Sequence, residues 1–540
     1  MKRILVIQLC RIGDILMTGP LLRGLRRAHP SAEISLMVMD SFASTPLPAR
    51  LYDRLLVFPL GGLAGSLASK DAGWEPALDE LRAFVKTTAP AAYDLVVNLT
   101  HTDMSALLTS LMPAKKRVGL VMRADRRKGI DSSWMTYMRA SVRSRDYSCF
   151  HLVDLFSWTA GVGRDAGGLE IDVRDEDRAW AEAFLAAQGL QQASVIAIQL
   201  GASAESKRWP VERFAALADA LDPSLGEILL VGGPADRDLG HRFAAAVKRR
   251  VYTSIGDSSL RQLAALLERS RLLITNDTGP MHVAAAVGTR VMDLSSGPVC
   301  PYETGPYGEG HVVIEPEMSC YPCPLDSECH HFACRTAVTP EDAAAVARFA
   351  LGEGGAPHLT GARLLQARRV GRTGRIEFLP VGDPPTVRDA VRSMAAAMWE
   401  DSLKAPDRTG DGWSEGSDTA VDAYTHEGGD EASRRVIAEA LDAVAREADA
   451  AAALLRTLPS AAPAKVQALG ERVHASLEKL LALGESTRAT HALVTHLRYE
   501  IDSIVATDLA SMARLQAAAY AATAARARTL AQPLGVLTTS

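Results

Sequence analysis

The chain has 540 residues, 47% hydrophobic and 23% charged, with 59 basic against 64 acidic side chains and a formal net charge of −5. That length exceeds one ordinary core and calls for several domains; the composition excludes wholesale disorder, and the bulk charge gives nucleic acid no reason to bind. Seven cysteines are too few for a secreted disulfide scaffold, and no apolar run approaches the roughly 18 residues of a spanning helix.

The opening MKRILVIQLC has the look of a signal peptide. Arg11 and Asp14 cut its apolar run short and no small-residue cleavage site follows, so it is expected to be a buried strand of a cytoplasmic protein. Lys2–Leu9, Glu33–Met39, Leu55–Phe58, Tyr93–Leu99 and Arg117–Leu120 read as strands, with helical patterns at Ile15–Ala28 and Ala77–Thr87 between them. The alternation then restarts. Ser194–Leu200, Glu227–Gly232, Arg271–Asn276, Arg290–Leu294 and His311–Glu315 read as strands, and Phe214–Leu221, Leu260–Glu268 and Met281–Val287 as helices. Two such series predict two doubly wound, Rossmann-like domains meeting at a cleft, with ligands beyond the carboxyl ends of the strands.

After Gly352 the character changes. Arg363, Arg368, Arg369, Arg372 and Arg375 crowd one basic stretch that ends in a short strand, Arg375–Leu379. Lys404–Glu431 holds five glycines and eight acidic residues, the composition of a solvated linker. From Ser433 onward the chain is Ala-rich. Three helical series are expected there, broken at Pro459 and Pro463 and again at Gly484, and they form a hairpin or bundle that packs on itself or associates with a second copy.

Three stretches carry chemistry. In Arg11-Ile12-Gly13-Asp14, Gly13 permits a tight turn, and Asp14 either caps the following helix or takes a proton from an attacking hydroxyl. In Gln199-Leu200-Gly201-Ala202-Ser203 and Glu205-Ser206-Lys207-Arg208-Trp209-Pro210, Gly201 and Ser203 would admit phosphate oxygens. Lys207 either neutralises a departing diphosphate or is an exposed cation beside a packing Trp. The third runs Asn276-Asp277-Thr278-Gly279-Pro280-Met281-His282 from a strand into a helix. Pro280 suits its first turn, and the amides of Thr278, Gly279 and Met281 are expected to form an anion site, with His282 a hydrogen-bonded structural residue.

With VGGPADR, these pieces in this order resemble glycosyltransferase family 9, the heptosyltransferases of lipopolysaccharide core assembly, over about residues 1–352. The resemblance implies a GT-B fold and an inverting reaction that needs no catalytic metal. It also implies a nucleotide-diphosphate heptose donor on the second domain and a lipid-linked glycan acceptor on the first. By position, Asp14 matches the catalytic base, and Lys207 the cation on the donor diphosphate. Asp277, Thr278 and Gly279 match the donor-binding turn, and Gly232 and Gly233 the glycine pair near the nucleotide. Arg11, Gly13, Lys115 and Arg117 are assigned to the acceptor side. The cluster of Lys115, Lys116, Arg117, Arg123, Arg126, Arg127 and Lys128 is either an ordinary solvated face or a patch for an acidic glycolipid at an anionic membrane surface.

Cys320, Cys323, Cys329 and Cys334 have a spacing that a structural zinc or iron–sulfur centre uses. The resemblance extends to them, since some related sequences carry such clusters; reduced packing thiols or a local disulfide are the alternatives. The expected organisation is an acceptor domain at 1–175, a donor domain at 176–352, a small basic extension at 353–403, an acidic linker at 404–432 and an α-helical hairpin or bundle at 433–540. The expected function is heptose transfer from ADP-heptose to a lipopolysaccharide-core-like acceptor at the cytoplasmic face of the inner membrane. Transfer to another surface glycan, and a non-catalytic scaffold that binds a nucleotide sugar and acts through its helical tail, are the alternatives.

Overall fold

The computed structural model describes residues 1–68, 74–124, 126–130, 132–142, 145, 148–163, 167–324, 329–370, 374–384, 386, 389, 392, 393, 395, 396, 399, 431–458, 463–484, 487–503 and 509–531. The linker expected at 404–432 lies outside the described residues except for its last two. The chain forms two compact units: residues 1–131, 150–323 and 327–383 in one, and residues 132–149, 324–326 and 384–540 in the other.

The first unit contains two sheets. Strands β1 (Arg3–Ile7), β2 (Glu33–Met39), β3 (Arg54–Phe58), β4 (Tyr93–Asn98), β5 (Ala114–Met122) and β6 (Lys128–Ile130) take the order β3-β2-β1-β4-β5-β6. All neighbours are parallel except β5 and β6. Ile4, Leu5, Val6 and Ile7 are wholly buried. An uninterrupted apolar run suits this central strand because helices cover both faces of a parallel sheet.

The second sheet comprises β7 (Val195–Gln199), β8 (Glu227–Val231), β9 (Val251–Thr253), β10 (Ser270–Thr275), β11 (Arg290–Leu294), β12 (Val312–Pro316), β13 (Ala362–Val370) and β14 (Arg375–Pro380). Their order is β14-β13-β12-β11-β10-β7-β8-β9. Two doubly wound sheets in succession make the GT-B architecture that the sequence led us to expect. The strand order reverses around β1 in one sheet and between β7 and β10 in the other, so crevices open beyond the ends of those strands.

Two details differ from the sequence reading. The run expected as one helix from Ile15 to Ala28 is two helices, Ile12–Met17 and Gly19–Ala28, joined at Thr18; Pro20 sits in the first turn of the second, where its missing N–H costs nothing. The stretch after Gly352 is not a separate basic piece. β13 and β14 add antiparallel strands to the second sheet, and two of its arginines are built in: Arg363 pairs with Glu315 of β12 at 3.3 Å, and Arg375 pairs with Glu377.

The second unit is helical, with Glu431–Thr457, Pro463–Gly484, Arg488–Ser503 and Leu509–Ala531 as its long helices. Four helices replace the expected three, because the third apolar series is divided between the last two. Ala438, Ala445, Ala448, Ala451 and Ala452 are buried along one face of the first, which lets helices approach closely. Residues 132–149, which carry no readable motif, contribute the helix Ser133–Ser141 to this unit, where it packs on Arg488–Ser503. Tyr137 meets Trp399 edge to face at 5.4 Å.

Candidate active site

The site is built from the loop after β1, the loops after β7 and β10, and the two helices that follow β1 and β10. Arg11 precedes the helix Ile12–Met17, and the Asp14 carboxylate in its first turn accepts the backbone N–H of Arg11 at 3.1 Å. The capping role is therefore real. Burial pushes the Asp14 pKa up to about 6, against the pull of the Arg11 backbone N–H and guanidinium; the nearby Asp277 carboxylate adds to the rise. Such a group is ionised at neutral pH and still basic enough to accept a proton.

The two lobes touch here. A Cβ on Gly13 would lie 2.4 Å from Cδ2 of His282, so only glycine fits against that ring. Gly279, at the start of the helix Gly279–Ala286, stands over Ile12. Arg11, placed on the acceptor side by the sequence, reaches across instead and donates from Nη1 to Ser203 Oγ at 3.1 Å. His282 is buried, its Nδ1 has no hydrogen-bond partner, and burial lowers its pKa. The expected hydrogen-bonded structural histidine is thus a neutral wedge between the lobes.

On the donor side, Lys207 Nζ lies 3.8 Å from Asp277 Oδ1, and both side chains are mostly buried. Thr304 Oγ1 donates to Asp277 Oδ2 at 3.0 Å. Asn276 ties the two loops together: Nδ2 donates to the carbonyls of Leu200 (3.2 Å) and Gly201 (2.9 Å), while Oδ1 accepts the N–H of Trp209 at 2.8 Å. Thr278 precedes the helix Gly279–Ala286 and its hydroxyl reaches Thr275 Oγ1 at 3.2 Å. The Met281 amide does not face the crevice as expected; it donates to the Thr278 carbonyl at 3.1 Å. Pro280 has no N–H, so Thr278 and Gly279 supply the amides of this turn.

Gly201 and Gly232 leave room for a residue that sequence reading missed. A Cβ on Gly201 would lie 2.2 Å from Asp236 Oδ1, and one on Gly232 would lie 2.6 Å from Asp236 Oδ2. Gly233 N–H donates to the same carboxylate at 3.1 Å. His151 was also missed. It is buried, its Nδ1 accepts the N–H of Val153 and its Nε2 bonds to the Gly305 carbonyl at 2.9 Å; burial lowers its pKa to about 3, the Gly305 bond opposing and the nearby His282 imidazole adding to the fall. A histidine before a helix gives no sequence signal for such a position. Asp293 did leave one, as the single charged side chain inside the apolar run Val291–Leu294.

Two residues expected on the acceptor side are not brought to the site. Lys115 and Arg117 lie near the amino end of β5, the edge opposite Asp14. Lys115 pairs with Asp94 at 2.7 Å, and Arg117 donates to the carbonyls of Thr109 and Met112. Cys320, Cys323, Cys329 and Cys334 are all free thiols. Cys334 Sγ accepts the N–H of Gly297 and Cys329 Sγ that of Phe332, and among the described residues no three His, Cys, Asp or Glu side chains are placed to hold a metal ion. The Cys334 thiol senses those of Cys329 and Cys320, so these three lie near one another.

The profile of glycosyltransferase family 9 (heptosyltransferase) matches residues 81–330. Lipopolysaccharide heptosyltransferase 3 of Escherichia coli (strain K12) is 27% identical over 288 residues, covering 52% of this chain and 79% of that protein. Lipopolysaccharide heptosyltransferase 2 of the same strain is 26% identical over 330 residues, covering 58% and 87%. The crystal structure of a family 9 glycosyl transferase from Veillonella parvula DSM 2008 superposes with a TM-score of 0.52 at 25% identity, covering 65% of this chain and 98% of that one. The crevice between Asp14 and the Lys207–Asp277 pair is therefore read within a known family: this chain carries a glycosyltransferase family 9 (heptosyltransferase) domain.

Proposed function

We propose that the protein is an inverting heptosyltransferase that moves heptose from ADP-heptose to a lipopolysaccharide-core-like acceptor. The observation that carries this reading is one crevice with a raised-pKa carboxylate on one wall and the Lys207–Asp277 pair on the other. The relatives named above contribute the sugar and the acceptor class.

Ionised Asp14 takes the proton of an acceptor hydroxyl as that oxygen attacks the anomeric carbon from the face opposite the diphosphate. The bond from the anomeric carbon to the diphosphate oxygen breaks, and the electron pair leaves with the nucleoside diphosphate. Lys207, pre-placed by Asp277, neutralises the charge that develops, and the amides of Thr278 and Gly279 add donors at a helix N-terminus. Attack opposite the departing group inverts the anomeric centre. The chain's own groups supply base, cation and donors.

A lipid-linked acceptor places the protein peripherally at the cytoplasmic face of the inner membrane. No helix among the described residues is long and apolar enough to cross a membrane. The exposed cations Lys116, Arg126 and Arg127 suit an anionic surface. Val436, Met512 and Leu515 are exposed on the helical unit and suit self-association. The test of function is a screen of purified protein against ADP-heptose and other nucleotide sugars with core oligosaccharide acceptors, reading product and anomeric configuration. Inverted heptose transfer is expected. Transfer of another sugar would move the assignment to a different surface glycan, and binding without turnover of any donor would favour the scaffold role.

A further inference from the structure

Behind the Lys207–Asp277 pair lies a buried carboxyl to which the transfer chemistry gives no role. Asp293 stands on β11 in register with Thr275 of β10, which in turn neighbours Gln199 of β7. Residues on one face of these strands, such as Ile198, Ile274 and Met292, belong to the apolar core. Gln199, Thr275 and Asp293 form a polar row on the other face, at the carboxyl edge that carries the donor loops. Thr275 and Thr278 hydroxyls join that row to the turn following Asp277.

Asp293 is fully buried. Ser295 Oγ donates to its Oδ2 at 2.7 Å, and its Oδ1 has no hydrogen-bond partner. No described cation lies within ion-pairing distance; Lys207 pairs with Asp277 instead. A buried carboxylate with one bare oxygen and no counter-ion is expensive, and the group avoids the cost by keeping its proton. Burial foremost, and then the Asp277 charge, raise its pKa to about 8, with Ser295 and Lys207 opposing. Tyr321, also buried, is another titratable group that senses Asp293; burial holds its own pKa well above the usual value.

We propose that Asp293 is a positioning residue for the donor site: as a neutral acid it leaves the charge of Lys207 to Asp277 and the incoming diphosphate, and its ionisation weakens diphosphate binding. This rests on the reading that Lys207 receives the donor diphosphate. An ionised Asp293 would set a second negative charge behind Asp277, repel the diphosphate and compete for the lysine. Linkage makes the effect reciprocal: a bound diphosphate must hold the proton on Asp293 more tightly, so binding above about pH 8 takes up a proton.

The experiment is titration calorimetry of the full chain with ADP from about pH 7 to about pH 9, in buffers of different ionisation enthalpy, repeated with the Asp293→Asn variant. The parent protein should lose affinity by up to about tenfold per pH unit above about 8 and take up a proton on binding. In the variant, which keeps the shape without the titrating proton, both effects should vanish while affinity near pH 7 stays within about twofold. The same alkaline loss and proton uptake in the variant would overturn the proposal, as would their absence from the parent. Failure of ADP to bind either protein at any pH would instead defeat the underlying reading of Lys207.

Discussion

Gly13 and His282 meet face to face across the crevice, with a missing Cβ on one accommodating the imidazole edge of the other. The helix that carries Asp14 and the helix Gly279–Ala286 are thereby held against each other. The ring is buried and packed, so it has little room to yield. Gly13→Ala should separate the helices, with an overpacking cost of about 1–3 kcal/mol, and should lower transfer roughly ten- to a hundredfold. His282→Ala in the same chain should recover much of that loss. Activity assays on the single variants and the double variant measure the coupling, and additive effects would deny the contact any role.

The raised pKa of Asp14 sets an acid limb. In the proposed role Asp14 works ionised, so transfer should fall tenfold per pH unit below about 6 and level off above it. Arg11→Ala removes a guanidinium that favours the ionised form, so the limb should move to higher pH. A pH–rate profile of kcat/KM reads both shifts; a limb that stays in place in the variant would show that another group titrates.

Asn276 accounts for three hydrogen bonds between the loops after β7 and β10 while fully buried. Asn276→Ala should lower stability by about 2–3 kcal/mol and raise the KM for donor. Denaturant unfolding and donor titration check the two effects separately.

Asp293 also shapes stability. Its folded pKa of about 8 exceeds the ordinary 3.8, so between those values the folded state binds one proton more than the unfolded state. By linkage its contribution to stability falls as pH rises through that window and levels off above it. Asp293→Asn should therefore be more stable than the parent at pH 8 and lose that advantage as pH falls toward 4. Unfolding curves across the window provide the check.

Much of this site was legible in the sequence because its parts are short, punctuated motifs at strand ends. Asp14, Lys207 and Asp277 each follow an apolar strand, and the parallel topology brings strand ends together. What was not legible depends on which end of a strand a residue occupies and on what lies beside it. Lys115 and Arg117 belong to a convincing basic cluster, yet they fall near the amino end of β5 and are taken by Asp94 and by helix-end carbonyls. Arg363 and Arg375 read only as part of a basic stretch because their partners, Glu315 and Glu377, are recognisable only once β12, β13 and β14 are paired. His151 draws its second partner from Gly305, and Asp236 meets Gly201 as well as the nearby glycine pair, contacts far along the chain that no local pattern announces.

The central claim is that one carboxylate removes the acceptor's proton opposite a cation that holds the diphosphate. Its most direct test measures heptose transfer and ADP-heptose binding together in the parent and in Asp14→Asn. Transfer should fall roughly a hundred- to ten-thousand-fold while donor affinity stays within about twofold. Near-parental transfer by that variant would contradict the account.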